Sequence, residues 1–448
     1  MTPLPRRRVA VVVQRYGADV AGGAEWHAKS FVEAIAPQHE VTVLTSCARD
    51  AATWDTHWPP GESRVEGVRV LRFAHPPRNA GGRARVPLVH KVRRWLRLLF
   101  DLLARPRVAP PRGDDVRDGH LFLRRQGPCC AGLVDALRQG QGHFDMAVFF
   151  TALYHPSAEG LPVWGARSLL IPTLHDEKPM YLPWFHRVFA GAGEILFNAQ
   201  AEQRLARRLY GADAARGAVV GAAVRVQPPT PETLQAARAH HVLPSRYLVY
   251  VGRIEKGKGC AELLACWQSM ARETDDAVLV FVGKGALPIP PSARVRATGF
   301  VDAHERDALV AGAAALVVPS RHESLSLVAL EAMALGVPLV VNAQCEVLLE
   351  HVRRSACGEA YRGRRQLRAA LRRALARPQG ERERLGAAGR DYVERHYEPA
   401  VVRRAWLAAI ERVIERTDER TSERTDERTD ERTDLPSTDA PAAAPRAR

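Results

Sequence analysis

The sequence predicts an α/β protein built from two doubly wound, parallel-sheet domains. Three observations support this fold class: the length of 448 residues, an alternation of short apolar runs with longer helical patterns, and a Pro-rich break near the middle. A chain of this length exceeds what one ordinary hydrophobic core holds, so two domains are expected. Short apolar runs that alternate with helical patterns are typical of βαβ units and therefore of parallel sheets.

The predicted strands fall into two series separated by the Pro-rich break at residues 226–231. The first series comprises residues 9–13, 41–44, 145–150, 168–172 and 193–197, with a helix over 24–35. The second series comprises residues 247–251, 277–282, 315–319 and 337–341. Because linkers are often rich in proline, the break predicts a first domain over residues 1–238 and a second over 239–395.

Two segments depart from this alternation. Residues 79–127 are rich in arginine and form a predicted insertion in the first domain. Within it, residues 87–105 place leucines and a tryptophan on one helical face and arginines opposite, so this helix either packs on the first domain or lies on an anionic membrane surface. Residues 415–448 begin with Glu-Arg-Thr-Asp repeats that lack apolar side chains, which predicts a disordered tail. Glu/Arg pairs could instead extend the preceding helix.

Composition narrows the class of protein. The seven cysteines include no C-x-x-C pair, which argues against a disulfide framework or a zinc site and suits the cytoplasm. No apolar run approaches the ~20 residues of a membrane span. The net charge of +15 favours an anionic partner such as a nucleotide or a membrane surface, or reflects arginines on solvated faces. A nucleic-acid partner is not expected, because basic stretches interleaved with aromatic residues are lacking.

The strongest functional signal is a strand–loop–helix segment over residues 315–336. The strand ends at Pro319, a serine-rich loop follows, and the helix ends at Gly336. A helix N-terminus at the carboxyl edge of a parallel sheet binds anions well. Glu323 lies in the loop and Glu331 on the helix, and two carboxylates would repel a phosphate, so hydroxyl groups are their expected partners. A nucleotide sugar carries hydroxyl groups on both its sugar and its ribose.

A second signal follows the first strand of the second series. Residues 251–259 contain three glycines together with Arg253 and Lys258. Glycine lets the backbone approach a ligand closely, and the two cations can bracket a diphosphate. Because departure of a diphosphate builds negative charge, these cations would stabilise the transition state. A glycine-rich turn over residues 282–285 repeats the pattern after the next strand and is a weak signal by itself.

These motifs resemble those of the retaining glycosyltransferases of family 4. The family's E-x7-E motif corresponds to Glu323 and Glu331, and its G-R-x-x-x-x-K-G loop corresponds to residues 252–259. Residues 21–25 are similar to the family's N-terminal glycine loop, and residues 298–301 to its segment beside the nucleotide base.

The resemblance covers about residues 9–410 and implies the GT-B fold, in which two Rossmann-like domains face a cleft. It implies that the first domain holds the acceptor and the second the nucleotide-sugar donor, with a helix over residues 396–414 that crosses back to the first domain. The implied activity is retaining transfer of a sugar to a glycan, a lipid-linked sugar or another hydroxyl acceptor. Neither a metal ion nor another cofactor is expected, and the chain lacks the Asp-x-Asp sequence of the metal-dependent glycosyltransferase fold.

The family's residue roles, carried over position by position, define a predicted site. Glu323 would contact the donor sugar, Glu331 the ribose, and Arg253 and Lys258 the diphosphate. A first-domain histidine lies near the donor in the family, and His175 is the candidate here. The other predicted donor-binding residues belong to the glycine loops, the base-side segment and the loop–helix junction: Gly22, Gly23, Gly252, Gly283, Phe300, Val301, Ser324, Leu325, Ser326 and Leu327. In the family mechanism the donor phosphate helps to activate the acceptor hydroxyl.

The chain departs from the family pattern in two places. The family often has Phe-Gly after the first glutamate, whereas this chain has Ser-Leu-Ser at residues 324–326, which leaves the donor sugar open. A Gly-Gly-x-x-E loop is replaced by residues 343–346, with Glu346 aligned to its glutamate. Two alternative functions stay open: a sugar-nucleotide epimerase of the same fold, and a non-catalytic nucleotide-sugar-binding subunit at a membrane.

Overall fold

The computed structural model describes residues 6–20, 22–51, 53–77, 107–270, 277–290 and 292–433. The amphipathic segment predicted over residues 87–105 lies outside these ranges. The described chain forms two sheets, each flanked by helices, and the second sheet is followed by a long C-terminal helix.

The first sheet has eight strands, with apolar residues on both of its faces. The strands are β1 Arg8–Val12, β2 Glu40–Ser46, β3 Gly61–Val65, β4 Val68–Phe73, β5 Met146–Phe150, β6 Ser168–Ile171, β7 Glu194–Phe197 and β8 Ala218–Val219. Their order is β3-β4-β2-β1-β5-β6-β7-β8; β3 pairs antiparallel with β4, and the other neighbours pair in parallel. Alternate residues of β1 enter the cores on the two faces, as expected of a central strand.

Helices cover both faces of this sheet. They are α1 Gly23–Ile35, α2 Asp114–Gln126, α3 Ala131–Gln139, α4 His155–Trp164, α5 Pro183–Gly191 and α6 Gln200–Tyr210. The part of the predicted insertion that the structure describes contains α2, which packs on α4 and α5. This segment is therefore part of the first domain's helical layer.

The second sheet has six strands: β9 Tyr247–Val251, β10 Val278–Val282, β11 Val295–Gly299, β12 Ala315–Val318, β13 Leu339–Asn342 and β14 Gly358–Tyr361. Its helices are α7 Pro231–His240, α8 Cys260–Ser269, α9 Ala303–Ala311, α10 Leu327–Ala334, α11 Glu346–Ser355, α12 Gly363–Ala376 and α13 Gln379–Tyr397. The strand order is β11-β10-β9-β12-β13-β14, parallel throughout. This is the doubly wound dinucleotide-binding order, and it places a topological switch point between β9 and β12.

The chain crosses between the domains earlier than predicted. The boundary expected after residue 238 falls inside α7, which packs against α9 and contributes Ala237 to the core of the second domain. Because α7 belongs to the second domain by its packing, the crossing lies before Pro231. The Pro-rich run therefore lies at the crossing itself, directly before the N-terminus of this helix.

The last helix returns to the first domain. It is α14, Pro399–Thr433, and the Trp406 ring packs between α1 and the sheet, 5.1 Å from the ring centroid of Phe31. Arg412 and Arg416 both form ion pairs with Glu194 of β7. Residues 415–433, predicted as part of a disordered tail, instead continue α14 as helix, since Glu/Arg spacing within a helix supports it without a core. No helix of the described chain has the length and apolar character to cross a membrane.

Candidate active site

The carboxyl ends of β9 and β12 form the crevice at the switch point of the second domain. The loop after β9 carries Arg253 and Lys258, and the loop after β12 carries Glu323. In open parallel sheets, ligands bind where two adjacent strands send their loops to opposite sides. The two strongest sequence motifs therefore meet at the place where this fold binds ligands.

Lys258 and Glu323 form a direct ion pair. The Lys258 Nζ donates to Glu323 Oε1 at 2.8 Å, and the side chains are 27% and 16% exposed. Gly259 makes this approach possible, because its φ is 77° and a Cβ there would lie 2.5 Å from the carbonyl oxygen of Pro319. Asn342, buried at the end of β13, donates to the same carbonyl at 3.1 Å and holds the loop from below.

Arg253 does not join this pair. Its guanidinium lies 3.4 Å from Glu255 of the same loop, and its side chain is 71% exposed. Tyr250 donates a hydrogen bond of 2.7 Å to the backbone carbonyl of Arg253, which fixes the backbone but leaves the side chain in the cleft. The predicted cation pair thus consists of one anchored ammonium and one exposed guanidinium.

The glycine turns of the second domain are stacked against one another. Gly252 N donates to Val282 O at 3.0 Å, and Gly283 N donates to Gly299 O at 2.8 Å. A Cβ at Gly283 would lie 2.1 Å from the Gly252 carbonyl oxygen, so this position requires glycine. Phe300, the residue after Gly299, is 73% exposed. An exposed aromatic ring next to close-packed turns suits stacking on a nucleotide base.

The loop–helix junction presents backbone N–H groups. Ser324 is partly exposed, Leu325 is buried, and Ser326 occupies the N-cap position of α10 with φ 63° and ψ 69°. Within the described ranges the N–H groups of Ser326 and Leu327 have no hydrogen-bond partner. Such N–H groups, together with the positive end of the helix dipole, form an anion site.

Glu331 lies on α10 beside α9. Its Oε1 is 3.8 Å from Arg306 Nη2, and Arg306 also pairs with Asp307 at 2.8 Å. Burial raises the pKa of Glu331, while Arg306 acts to lower it. Arg306 is a site residue that the sequence did not reveal, since a charged pair on an amphipathic helix carries no distinctive signal. Val301, one of the predicted donor-binding residues, packs against the hydrophobic core of the second domain.

The crevice of the first domain lies after β1 and contains Gly22 and Gly23 at the start of α1. Beneath them, Glu25 accepts hydrogen bonds from Gln14 Nε2 at 2.8 Å and from Arg15 Nε at 2.9 Å. The Arg15 and Glu25 side chains are 8% and 6% exposed. This buried ion pair supports the glycine loop from below.

His175 lies in the loop after β6 and is not in contact with the second domain's ion pair. Its Nδ1 is 3.7 Å from Glu177 of the same loop. Glu202, buried on α6, accepts hydrogen bonds from the backbone N–H groups of Leu174 and Asn198, which anchors the loop. Burial raises the pKa of Glu202 to about 8, although these hydrogen bonds oppose the shift.

Charges from the two domains act on each other across the cleft. Burial is the main cause of the raised pKa of Tyr154, and the charges of Glu25 and of Arg253 also act on it. Tyr154 and Glu25 belong to the first domain and Arg253 to the second. The backbone N–H of Gln200, at the start of α6, donates to Glu350 of α11 at 3.1 Å. Because α6 and α11 each follow the carboxyl end of a strand, these edges of the two sheets face each other. Arg204 of α6 also forms an ion pair of 2.8 Å with the buried Glu350 of α11.

One group in the described chain has metal-ligand chemistry. His240 and His241 end α7, Glu305 lies on α9, and their ligand atoms lie within 4.8 Å of one another. His241 Nε2 and Glu305 Oε1 are hydrogen-bonded to each other at 2.8 Å. None of the three belongs to the predicted donor site, and a metal-independent reaction stays a prediction.

Two doubly wound domains that face each other across a cleft define the GT-B class of glycosyltransferases. Solved structures of this class superpose on nearly the whole chain. The sucrose-phosphate synthase of Thermosynechococcus elongatus aligns with a TM-score of 0.61 at 19% identity, covering 89% of this chain and 96% of that one. The Anabaena protein HepE in complex with UDP-glucose aligns with a TM-score of 0.62 at 15% identity, covering 91% and 100%.

Residues 235–392, which make up most of the second domain, match the family model described as Glycosyl transferases group 1. A 116-residue stretch is 39% identical to glycogen synthase of Mycobacterium tuberculosis. This stretch covers 24% of this chain and 28% of the relative's length. The predicted GT-B fold and glycosyltransferase class are confirmed. Assignment to family 4 and the roles of the individual site residues stay predictions.

Proposed function

We propose that the protein is a retaining, metal-independent glycosyltransferase that moves a sugar from a nucleotide-sugar donor to a hydroxyl group of a glycan or lipid-linked acceptor. The observation that carries this proposal is the Lys258–Glu323 pair at the switch point of the second domain, 2.8 Å apart and beside the N-terminus of α10. Both side chains are partly exposed, so a ligand with an anionic group and hydroxyl groups can separate them and bind each.

A uridine-diphosphate sugar is the first donor to test. HepE is described in complex with UDP-glucose, and a trehalose-6-phosphate synthase of E. coli as bound with UDP-2-fluoro glucose. The glycogen synthase relative makes an α-glucan the first acceptor class to test, in line with a role in polysaccharide biosynthesis. The sequence segment 87–105, with its arginine-rich face, makes an acceptor at the cytoplasmic face of a membrane the second.

In this proposal each part of the donor has its own partner. The diphosphate lies between Lys258 and the N–H groups of Ser326 and Leu327, and Arg253 approaches it from the cleft. Glu323 accepts a hydrogen bond from a hydroxyl of the donor sugar. The base lies against Phe300, and Glu331 binds the ribose.

The transfer step is an exchange at the anomeric carbon. The acceptor oxygen bonds to this carbon on the face from which the diphosphate leaves, as the carbon–oxygen bond to the phosphate breaks. The acceptor's proton passes to an oxygen of the departing nucleoside diphosphate, which therefore serves as the base. Lys258 and the helix N-terminus stabilise the negative charge that develops on the leaving group, an effect that reaches about 10²–10³-fold for one preorganised donor.

The test is a labelled-donor assay with the full chain, after a thermal-shift screen of UDP-, GDP- and ADP-sugars. We expect Lys258→Ala and Glu323→Ala each to lower kcat/KM at least about 100-fold. Lys256→Ala is the matched control, because Lys256 is an exposed cation in the same turn. Activity should persist in EDTA, and the product should keep the donor's anomeric configuration by NMR.

Three results would contradict the proposal. Near-normal turnover by Lys258→Ala would remove the cation from the mechanism. Loss of activity in EDTA that a divalent ion restores would make the reaction metal-dependent. Conversion of the donor when no acceptor is present would favour the epimerase alternative.

A further inference from the structure

A buried histidine binds the backbone carbonyl that precedes the N-terminus of α10. His351 Nε2 lies 2.7 Å from Leu325 O. A carbonyl oxygen accepts hydrogen bonds and cannot donate, so Nε2 carries the proton. His351 is fully buried on α11, and burial lowers the pKa of its ring. Burial disfavours the charged ring, so the tautomer with its proton on Nε2 fits this contact, and Nδ1 is then an acceptor.

Tyr392 of α13 selects this tautomer. Its hydroxyl lies 3.2 Å from His351 Nδ1 and donates to it, because Nδ1 has no proton. The hydroxyl of Tyr397 lies 3.5 Å from that of Tyr392, and the backbone carbonyl of Tyr397 accepts from Val224 N at 2.9 Å. A chain of buried polar groups thus extends from the crossing between the domains to the Leu325 carbonyl.

The geometry of a trans peptide gives this contact its significance. The C=O and N–H of one trans peptide unit point in opposite directions. Since the Leu325 carbonyl points into the core toward His351, the N–H of Ser326 points away from the core. Ser326 adopts left-handed φ and ψ angles, which cost a non-glycine residue energy unless neighbouring contacts hold them.

The same junction holds a second polar group without a partner. The hydroxyl of Ser326 is buried, the residue is 6% exposed, and its oxygen makes no hydrogen bond in the part of the chain that the structure describes. Ser326 occupies the N-cap position, where a serine oxygen ordinarily accepts from a helix N–H. Its left-handed backbone prevents that bond and leaves the first N–H groups of the helix open to an anion.

We propose that His351 is a positioning residue that turns the Ser326 amide toward the donor diphosphate by holding the Leu325 carbonyl. The residue acts through the peptide unit and does not touch the ligand. This inference rests on the proposed function and explains how the Ser326 N–H of the proposed diphosphate site is oriented. It assigns Tyr392 the supporting task of keeping Nδ1 unprotonated.

Calorimetric titration of the full chain with UDP, and competition titration with uridine, test the proposal. In His351→Leu we expect UDP affinity to fall about tenfold, the effect of one lost hydrogen bond to a charged group, with uridine affinity unchanged. His351→Gln keeps an N–H donor and should recover most of the UDP affinity. A change confined to UDP separates loss of the diphosphate contact from a general loosening of the domain.

Trp267→Phe is the matched control. Trp267 is buried and its Nε1 donates to the carbonyl of Arg294 at 2.9 Å, so this variant also removes a ring N–H from a partly buried backbone carbonyl in the second domain. Because that carbonyl lies outside the donor site, both affinities should equal those of the wild type. Comparable stability losses in the two variants, with different UDP affinities, support the proposal.

The outcomes distinguish the inference from the function beneath it. Failure of the wild type to bind any nucleoside diphosphate contradicts the proposed function. Wild-type UDP affinity in folded His351→Leu, or an equal fall for UDP and uridine, contradicts the positioning role alone. If His351→Leu does not fold, Tyr392→Phe replaces it with an expected threefold or so loss of UDP affinity, and an unchanged affinity there would overturn the proposal.

Discussion

The two crevices that face the cleft have the same topology, but the charged pair in each is buried to a different extent. In the second domain the Lys258–Glu323 pair is partly exposed and lies on the floor of the crevice. In the first domain the Arg15–Glu25 pair is almost fully buried beneath the glycine loop. The first arrangement leaves both charges open to a ligand, whereas the second uses them to hold the backbone above.

This difference separates residues that bind from residues that support. An exposed pair contributes little to stability, since water screens it, so it can exchange partners at low cost. A buried pair has lost its hydration and depends on its partner, so it cannot exchange. We therefore infer that ligand chemistry is concentrated in the second domain and that the charged pair of the first domain maintains loop shape.

The largest expected effect tests this contrast through stability. Glu25→Ala should lower the free energy of unfolding by about 3–5 kcal/mol, because it leaves the Arg15 guanidinium buried without its carboxylate. Glu323→Ala should change it by no more than about 1 kcal/mol. Urea denaturation of both variants measures the difference. Equal losses in the two variants would break the comparison.

A medium effect compares the glycines of the two crevices. Gly283→Ala should cost about 1–3 kcal/mol of stability, because the new methyl group meets the Gly252 carbonyl and φ is 133°. Gly23→Ala is the counterpart in the first domain, where a Cβ finds nothing within 4 Å. Its stability should be unchanged or higher by up to about 1 kcal/mol. Thermal denaturation of the two variants would show whether the Gly283 and Gly23 positions differ in their tolerance of a methyl group.

The smallest effect concerns the rim of the second crevice. Phe300→Ala should raise the KM for the donor about fivefold and leave kcat unchanged, since stacking of about 1 kcal/mol on the base persists through the reaction. Val242→Ala, which removes another exposed apolar side chain of the same domain, is the control. An unchanged KM in Phe300→Ala would mean that the ring stays in solvent when the donor binds.

Much of the fold followed from the sequence because its central strands are continuous apolar runs. Residues 247–251 and 315–318 were predicted within a residue of their ends, since strands buried on both faces carry an unmistakable pattern. Five strands were missed: β3, β8, β11 and β14 lie at sheet edges and β4 lies next to an edge strand, and none of them is a long continuous apolar run. The helical extension to Thr433 was only the alternative prediction, because repeats without apolar residues also suit a disordered chain.

The site was predictable only where its residues lie within one short segment. Glu323 and Lys258 were found through their local motifs, and the structure adds that they touch. The contacts of Glu331 with Arg306, and of Leu325 with His351, join residues more than twenty positions apart. A single sequence does not encode which distant side chains meet, because that depends on how helices pack after the sheet has formed.

The chain crosses from one domain to the other twice, and the two crossings lie side by side. Val224 on the outward crossing donates to the carbonyl of Tyr397 on the return. Two covalent connections tied together at one edge prevent the domains from separating or twisting freely. We therefore expect any opening of the cleft to take place mainly by rotation about an axis through this edge.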